Sequence, residues 1–410
     1  MAPVGSYDCL QAAIAGGANS VYFGIGNLNM RSKSSANFSL DDLAEIVSAC
    51  KANGLQSYLT VNTIIYDDEI DQMHSLLDNA KKQGVSAVIA CDQSVIDYVN
   101  ANGISVHIST QANISNSEAL RFYARYADVV VLARELNLFQ VQKIHRLITE
   151  QNICGPSGKL VQLEMFCHGA LCMAISGKCY LSLHREGMSA NRGACRQMCR
   201  KSYSARDTET GAELQLEDGF IMSQKDLCTL EFLPLMLAAG IRVFKIEGRA
   251  RPCEYVKKTC ECYNRAFDAI AHNSFDSILS AELVRELRTV FNRGFWDGYY
   301  QGAQIGQWSN TYGSQATRTK TYIARTTNYF SKIGVAEFIL EAGSVKTGDT
   351  VIVCGPKTGV VEFHITSLRA ADGSPADSFT KGNVFTLPVP CKLRLADKMY
   401  LWEENKNTLL

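Results

Sequence analysis

The sequence predicts an α/β protein, a (β/α)₈ TIM-like barrel in residues 1–315 followed by a small antiparallel β-barrel in residues 316–410. Three observations carry that expectation. Short apolar runs rich in Val, Ile and Tyr alternate with amphipathic stretches through the first part of the chain, the pattern of a parallel sheet with helical crossovers. Eight such runs fit within about 250 residues, the size of an eight-stranded barrel. Beyond Gly302–Thr317, a stretch rich in Gly, Gln, Ser and Thr, short strands follow one another without helices between them.

The candidate strands of the first part are Ser20–Phe23, Ser57–Val61, Ala87–Cys91, Ser105–Ser109, Val129–Leu132, Leu160–Met165, Phe220–Ser223 and Val243–Ile246. Met1–Val4 reads as the stub of one more, so that one candidate falls outside a barrel, and an open doubly wound sheet is the alternative. Ser39-Leu-Asp-Asp opens a helix with a cap residue and acidic first-turn side chains, and Gly54 closes it. Arg249–Asn292 reads as helical. In the second part the strands are Thr321–Arg325, Ile333–Leu340, Thr350–Cys354, Val360–Ser367, Asn383–Leu387 and Met399–Trp402, with turn residues such as Gly348-Asp349 between them.

The chain has 410 residues, with 41 basic and 41 acidic side chains and a formal net charge of zero. Neutrality argues against a sequence-blind nucleic-acid binder, although a local basic patch suffices for RNA. No run of eighteen apolar residues suggests a membrane span, and the start of the chain lacks the basic and apolar segments of a signal peptide. The expected setting is therefore the cytoplasm. There the fifteen cysteines are expected to be buried apolar residues or reactive thiolates, not a disulfide framework.

Cysteines concentrate between residues 166 and 200, where Cys167, Cys172, Cys179, Cys195 and Cys199 are interleaved with Gly169, Gly177, Gly187 and Gly193. A loop wrapped around an inorganic centre needs thiolates to bind iron and glycines to let the backbone turn inward. The gaps between Cys172, Cys179, Cys195 and Cys199 are six, fifteen and three residues, unlike the tight Cys-x₂-Cys knuckle of structural zinc sites. Spacing thus favours a four-thiolate cluster, with zinc and plain burial as the other readings. Cys228 is a spare that could stand in for Cys199. Cys9, Cys50, Cys91, Cys260 and Cys262 fall on predicted helices or strands and read as core.

Polar residues gather at the carboxyl ends of the candidate strands, where a barrel places its active site. They include Asn62, Thr63, Asp92, Gln93, Thr110, Gln111, Asn113, Arg134, Glu135, Lys225 and Asp226. Glu164, Lys245 and Glu247 stand out because they lie in or directly after apolar strands, and His168 and Arg249 sit close behind. These five are the candidate catalytic residues. Each strand-end residue also has a bland reading as a cap or turn former. His107 reads as a satisfied core histidine, and His74, His145 and His272 as structural or exposed.

Several of these segments resemble a known family. Val21-Tyr-Phe-Gly24, Tyr58–Tyr66, His168-Gly-Ala-Leu-Cys172, Ser176-Gly-Lys-Cys179, Ser189–Cys195 and Lys245-Ile-Glu-Gly-Arg249 are similar to the collagenase-like peptidase family, peptidase family 32 of unknown catalytic type. The resemblance covers roughly residues 2–300, and the C-terminal part also looks like the family's C-terminal domain. Better understood bacterial members of that family are hydroxylation proteins. One group converts the tRNA wobble uridine to 5-hydroxyuridine with prephenate implicated, another acts on a ribosomal RNA cytidine, and a third on ubiquinone precursors. The tRNA branch looks nearest. The resemblance implies a [4Fe–4S] cluster on Cys172, Cys179, Cys195 and Cys199, with some relatives taking a ligand at the position of Cys228. Family members usually begin with a short apolar strand before the Ala-Pro, where here only Met1 precedes Ala2, so the resemblance implies a truncated first strand.

Three functions follow as expectations. The first is a tRNA-hydroxylating enzyme with a small carboxylate co-substrate, in which Arg192, Arg196, Arg200 and Lys201 form a basic patch for phosphate. The second is the peptidase of the family label. Its nucleophile and base would have to come from a pair such as Cys167-His168, which a continuous strand would point to opposite faces. The third is a non-catalytic iron–sulfur assembly or redox protein.

Overall fold

The computed structural model describes residues 1–33, 37–214 and 220–405. Six parallel steps follow one another from the start: β1 (Ala2–Pro3), α1 (Tyr7–Ala15), β2 (Ser20–Gly24), α2 (Asp42–Ala52), β3 (Gln56–Val61), α3 (Ile70–Gln83), β4 (Ala87–Ala90), α4 (Gln93–Ala101), β5 (Val106–Ile108), α5 (Ser117–Ala124), β6 (Val129–Val131), α6 (Leu138–Glu150) and β7 (Gln162–Ala170). Each strand pairs in parallel with the next. Local chemistry sets the helix starts. Ser6, Asp92 and Asn116 accept hydrogen bonds from the first-turn amides of α1, α4 and α5, and Asn137 with Gln140 forms a capping box on α6. β2 and β4 are buried along their whole length, which explains runs such as Ser-Val-Tyr-Phe-Gly that do not alternate with polar residues.

After β7 the chain leaves the sheet. It makes α7 (Leu181–Glu186), the short pair β8 (Ala205–Arg206) and β9 (Glu213–Leu214), β10 (Asp226–Cys228) and α8 (Leu233–Ala238). It returns as β11 (Ile241–Ile246), parallel to β7. α9 (Cys253–Ala271), α10 (Ser277–Leu287) and β12 (Phe295–Trp296) follow. The far edge of β11 meets the start of the chain: the Met1 nitrogen donates to Phe244 O at 2.7 Å, and Ile246 N donates to Met1 O at 3.0 Å.

Two expectations about strands change. Phe220–Ser223 is a turn, with Ser223 N bonded to Phe220 O, and not a strand. The parallel place beside β7 goes to the longer apolar run Ile241–Ile246. The Met1–Val4 stub is instead a true member of the sheet, as β1. β7 also outlasts β11, and its last residues pair antiparallel with β10.

The C-terminal part is an eight-stranded antiparallel sheet in the order 359–364, 350–355, 398–404, 318–330, 335–340, 384–388, 368–370 and 375–376, with a separate pair 344–346 and 378–380. Among the described residues no ladder joins its two edges, so the expected small barrel is a sheet with open edges. The last strand has two residues and opens with Pro375, which has no N–H to extend a ladder. Its core, including Ile323, Phe338, Val351, Phe385 and Met399, is separate from the larger core under the parallel sheet. The two parts meet where Lys257 Nζ donates to Val360 O at 3.1 Å and Lys320 pairs with Glu254 at 2.8 Å.

Gly169 lets β7 change partner. Its φ is +101°, and a Cβ there would lie 2.4 Å from Glu247 O. Gly169→Ala should therefore destabilise the chain by about 1–3 kcal/mol or more, read from the urea midpoint. A substitution without effect would mean that the backbone here is free to relax.

Candidate active site

A pocket opens at the carboxyl ends of the parallel strands, lined by Tyr22, Arg31, Arg134, Lys245, Glu247 and Arg249 and, across its mouth, by Cys172, Cys179 and Cys195. At its floor Lys245 on β11 pairs at 3.0 Å with Glu164 on β7, which lies fully buried behind the pocket lining. His107 on β5 approaches the other carboxylate oxygen at 3.2 Å. Burial alone would raise the Glu164 carboxyl; Lys245 and His107 overcome it and hold it at about 2. The Lys245 ammonium also lies 4.8 Å from the Tyr22 ring centre.

Glu247 stands at the pocket wall, paired with Arg31 at 2.6 Å. Burial opposes its charge, but Arg31, Arg134 and Arg249 hold its carboxyl at about 2. Arg249 bonds Asn29 Oδ1 at 2.9 Å and Thr60 Oγ1 at 3.0 Å, and burial lowers it to about 10. Arg134 lies 3.8 Å over the Phe166 ring and donates to Ala170 O at 2.9 Å. Its buried Nε has no hydrogen-bond partner among the described residues. Asn62 and Gln111 line the same pocket and bond each other at 2.9 Å.

The cysteine-rich loop closes over this pocket. Gly193 fixes how closely it docks: its φ is +77°, a Cβ there would lie 2.4 Å from Asn29 O, and its carbonyl accepts from Lys33 N at 3.1 Å. Cys172, Cys195 and Cys199 line an adjoining crevice with Arg31, Glu247 and Arg251. Burial raises the Cys199 thiol, Arg200 opposes that rise, and Cys172, Cys195 and Cys179 add to it, so Cys199 is within electrostatic reach of the other three. Cys228 sits elsewhere, buried on β10 opposite His168.

Of the five candidate catalytic residues, Glu164, Lys245, Glu247 and Arg249 converge on this region. His168 does not. It is buried among Tyr255, Tyr263 and Phe295, its Nδ1 lacks a partner among the described residues, and burial lowers it to about 4. The register shift between Lys245 and Ile246 turns this end of β7 towards the helices. Cys167 bonds Lys245 O, and burial pushes its thiol up to about 12, so Cys167-His168 is not an activated nucleophile pair. Asp92 caps α4 and bonds Ile65 N, the bland reading of a strand-end carboxylate.

The expected basic patch also divides. Arg192 is tied to Glu69 and to Ile64 O, and Arg200 is buried on Leu171 O, Gln224 O and Ser223. Arg192 thus ties the loop to the segment after β3, and Arg200 serves backbone carbonyls that the irregular loop leaves without ladder partners. Sequence reasoning missed Tyr22 and Arg31. Arg31 lies on the loop after β2, at the strand end where barrel sites cluster, which is the one signal that pointed to it. A second donor set, Cys253, Glu254 and Cys354, is buried where the two parts meet, with ligand atoms within 4.8 Å of one another. It could hold a metal ion, although Lys320 now occupies Glu254.

These features define a mixed α/β protein with a thiol-rich loop over a cationic pocket. Residues 5–310 match peptidase family U32, and the chain belongs to that family. It is 52% identical over 406 residues to a protein named collagenase from Porphyromonas gingivalis strain W83, covering 99% of this chain and 98% of that one. It is 34% identical over 313 residues to the 23S rRNA 5-hydroxycytidine C2501 synthase of Escherichia coli K12, covering 75% of this chain and 45% of the relative. It is 29% identical over 386 residues to tRNA hydroxylation protein P1 of Bacillus subtilis 168, covering 92% and 88%. No helix among the described residues is long and apolar enough to cross a membrane.

Lys245→Met should cost about 3–5 kcal/mol at neutral pH, because it leaves Glu164 buried without its counter-ion. The cost should shrink as pH falls. In the wild type the Glu164 carboxyl is held below its ordinary 4.5, so its contribution is full above 4.5 and is lost towards pH 2. In the variant, burial is opposed only by His107, so the same carboxyl rises, gains a proton earlier and penalises the fold less. Urea unfolding at pH 7 and pH 5 tests this, and an equal cost at both values would refute the electrostatic account.

Proposed function

We propose that this protein is an RNA hydroxylation enzyme that forms 5-hydroxyuridine at the tRNA wobble position, using a [4Fe–4S] cluster and a small carboxylate co-substrate of the prephenate type. One observation carries the reading: a single loop lines a cationic pocket with Cys172, Cys179 and Cys195 and the crevice adjoining it with Cys172, Cys195 and Cys199. The donor set fits such a cluster, which takes four thiolates. Bound there on all four thiolates, it would supply one-electron chemistry. The relatives named for tRNA and rRNA hydroxylation support the RNA substrate.

The chain's own residues fit the rest of the task. Arg31, Arg134, Lys245 and Arg249 meet two carboxylates, Glu164 and Glu247, which leaves two cations in excess. Arg134 and Arg249 are the guanidiniums without a carboxylate of their own, and planar forks suit a dicarboxylate. Lys245, locked to Glu164, orients the ligand from below. Tyr22, donating to Ile246 O at 2.8 Å, helps wall the pocket from water.

The same reading takes the parallel sheet as a closed (β/α)₈ barrel in residues 1–315, supported by the two bonds between Met1 and β11, with residues 316–410 as a second domain around its own core. It places the protein in the cytoplasm, where its fifteen free thiols would persist. The relative named collagenase favours a peptidase instead. Against that stand the high thiol pKa of Cys167 and the strongly ionised Glu164, a poor general base.

Anaerobic purification should yield about four irons and four sulfides per chain. Cys172→Ala should lower both, and a strain lacking the gene should lose 5-hydroxyuridine from tRNA and regain it with the wild type only. Unchanged tRNA nucleosides, together with cleavage of gelatin by the purified protein, would establish the peptidase reading in its place.

A further inference from the structure

On the outer side of the cysteine loop lies an open groove whose cations are Lys33, Arg196, Arg200, Lys201, Arg251 and Arg293. No acidic side chain lines it among the described residues. In a chain of zero net charge, that is a local concentration of one sign. Some of these charges are engaged. Arg293 meets Asp226 at 3.3 Å, Arg196 approaches Glu186 at 3.6 Å, and Arg200 serves carbonyls. Others are not. Lys33 and Lys201 are exposed and make no ion pair among the described residues. The Arg251 guanidinium lies 3.5 Å over the Phe291 ring and makes no hydrogen bond or ion pair among the described residues, a half-buried cation that borders the groove.

The groove also offers an aromatic face. Tyr312 is 75% exposed, and its ring stacks on Phe220 with centres 6.5 Å apart and planes 26° apart. An exposed aromatic beside a row of cations is the arrangement that holds a single nucleic-acid strand, its phosphates on the cations and a base on the ring. The groove is continuous with the pocket. Arg251 and Arg293 border both the groove and the crevice that holds Cys199, and Cys172 and Cys195 border both the crevice and the inner pocket.

We propose that this groove, with Lys33, Lys201 and Arg251 on phosphates and Tyr312 under a base, is the docking track for a single-stranded RNA segment whose unstacked nucleotide enters beside the cysteine loop. The inference rests on the RNA reading above and adds where and how the RNA is held. A duplex does not suit the path, because a paired base cannot leave its stack to reach the inner pocket without flipping. An acidic protein would satisfy the cations but has no need of the Tyr312 face.

The test is fluorescence anisotropy of the anaerobically purified holoprotein with a labelled anticodon stem-loop RNA over a salt series, with polyglutamate as competitor. Lys33→Gln with Lys201→Gln should reduce the slope of log affinity against log salt by about 1.4, at roughly 0.7 per phosphate on a single strand. Tyr312→Ala should weaken binding about fivefold or more with little change in slope, as expected for lost stacking. Both changes are on exposed side chains, so the fold and iron content should persist, and Arg251→Gln serves as a third variant. Affinity and slope unchanged in all three variants overturn the groove and leave the hydroxylation reading standing. Competition by polyglutamate equal to that by unlabelled RNA overturns it as well. Groove-dependent binding in a protein whose gene can be deleted without loss of 5-hydroxyuridine keeps the groove and removes the hydroxylation reading.

Discussion

The buried ion pair between Glu164 and Lys245 joins the two strands that bracket the whole cysteine-rich excursion, and the site is built around it. The chain departs after β7 and comes back as β11, so these strands must pair in parallel across a long irregular segment. Backbone bonds alone do not specify register there, because apolar strands slide with little penalty. A fully buried carboxylate facing a buried ammonium fixes the register, since a slip would leave both charges unpaired in the interior. With His107 on the second oxygen, three strands share one polar node beneath the pocket.

Above that node the charges are arranged in tiers. Glu247 is saturated by Arg31 and neighbouring guanidiniums, while Arg134 and Arg249 are held by neutral groups: a carbonyl, an aromatic face, an amide and a hydroxyl. Cations anchored by neutral partners keep their capacity to bind an anion from outside. The cysteine loop meets this tier through Gly193, packed against the Asn29 carbonyl, so the segment carrying Arg31 and the segment carrying the thiols form one surface. The groove beyond the loop repeats the principle, with Arg251 supported by a phenylalanine ring.

Much of this was legible in the sequence for clear reasons. Parallel buried strands leave unbroken apolar runs, and Ser20–Gly24 and Ala87–Ala90 emerge close to where those runs fall. Glu164 and Lys245 were visible because a charge inside such a run needs a specific partner. The density of cysteine and glycine between 166 and 200 marked the loop. What failed depended on contacts from distant segments. Phe220–Ser223 had the composition of a strand, but its place was taken by a longer run. His168 had the position of a site residue, but a register shift turned it into an aromatic cage. Arg192 and Arg200 read as a surface patch because sequence does not show which carbonyls a loop leaves bare.

The sequence by itself determined the alternation of strands and helices, the change to closely spaced strands after residue 315, and the identity of the four thiols on one loop. Those are properties of local pattern and spacing, which survive without knowledge of neighbours. Tertiary structure decided which carboxylate meets which cation, that Cys199 lines one crevice with Cys172 and Cys195, and that Arg251 and Tyr312 share a groove. Each of those joins residues far apart in the chain, and only the packing of the sheet brings them within reach.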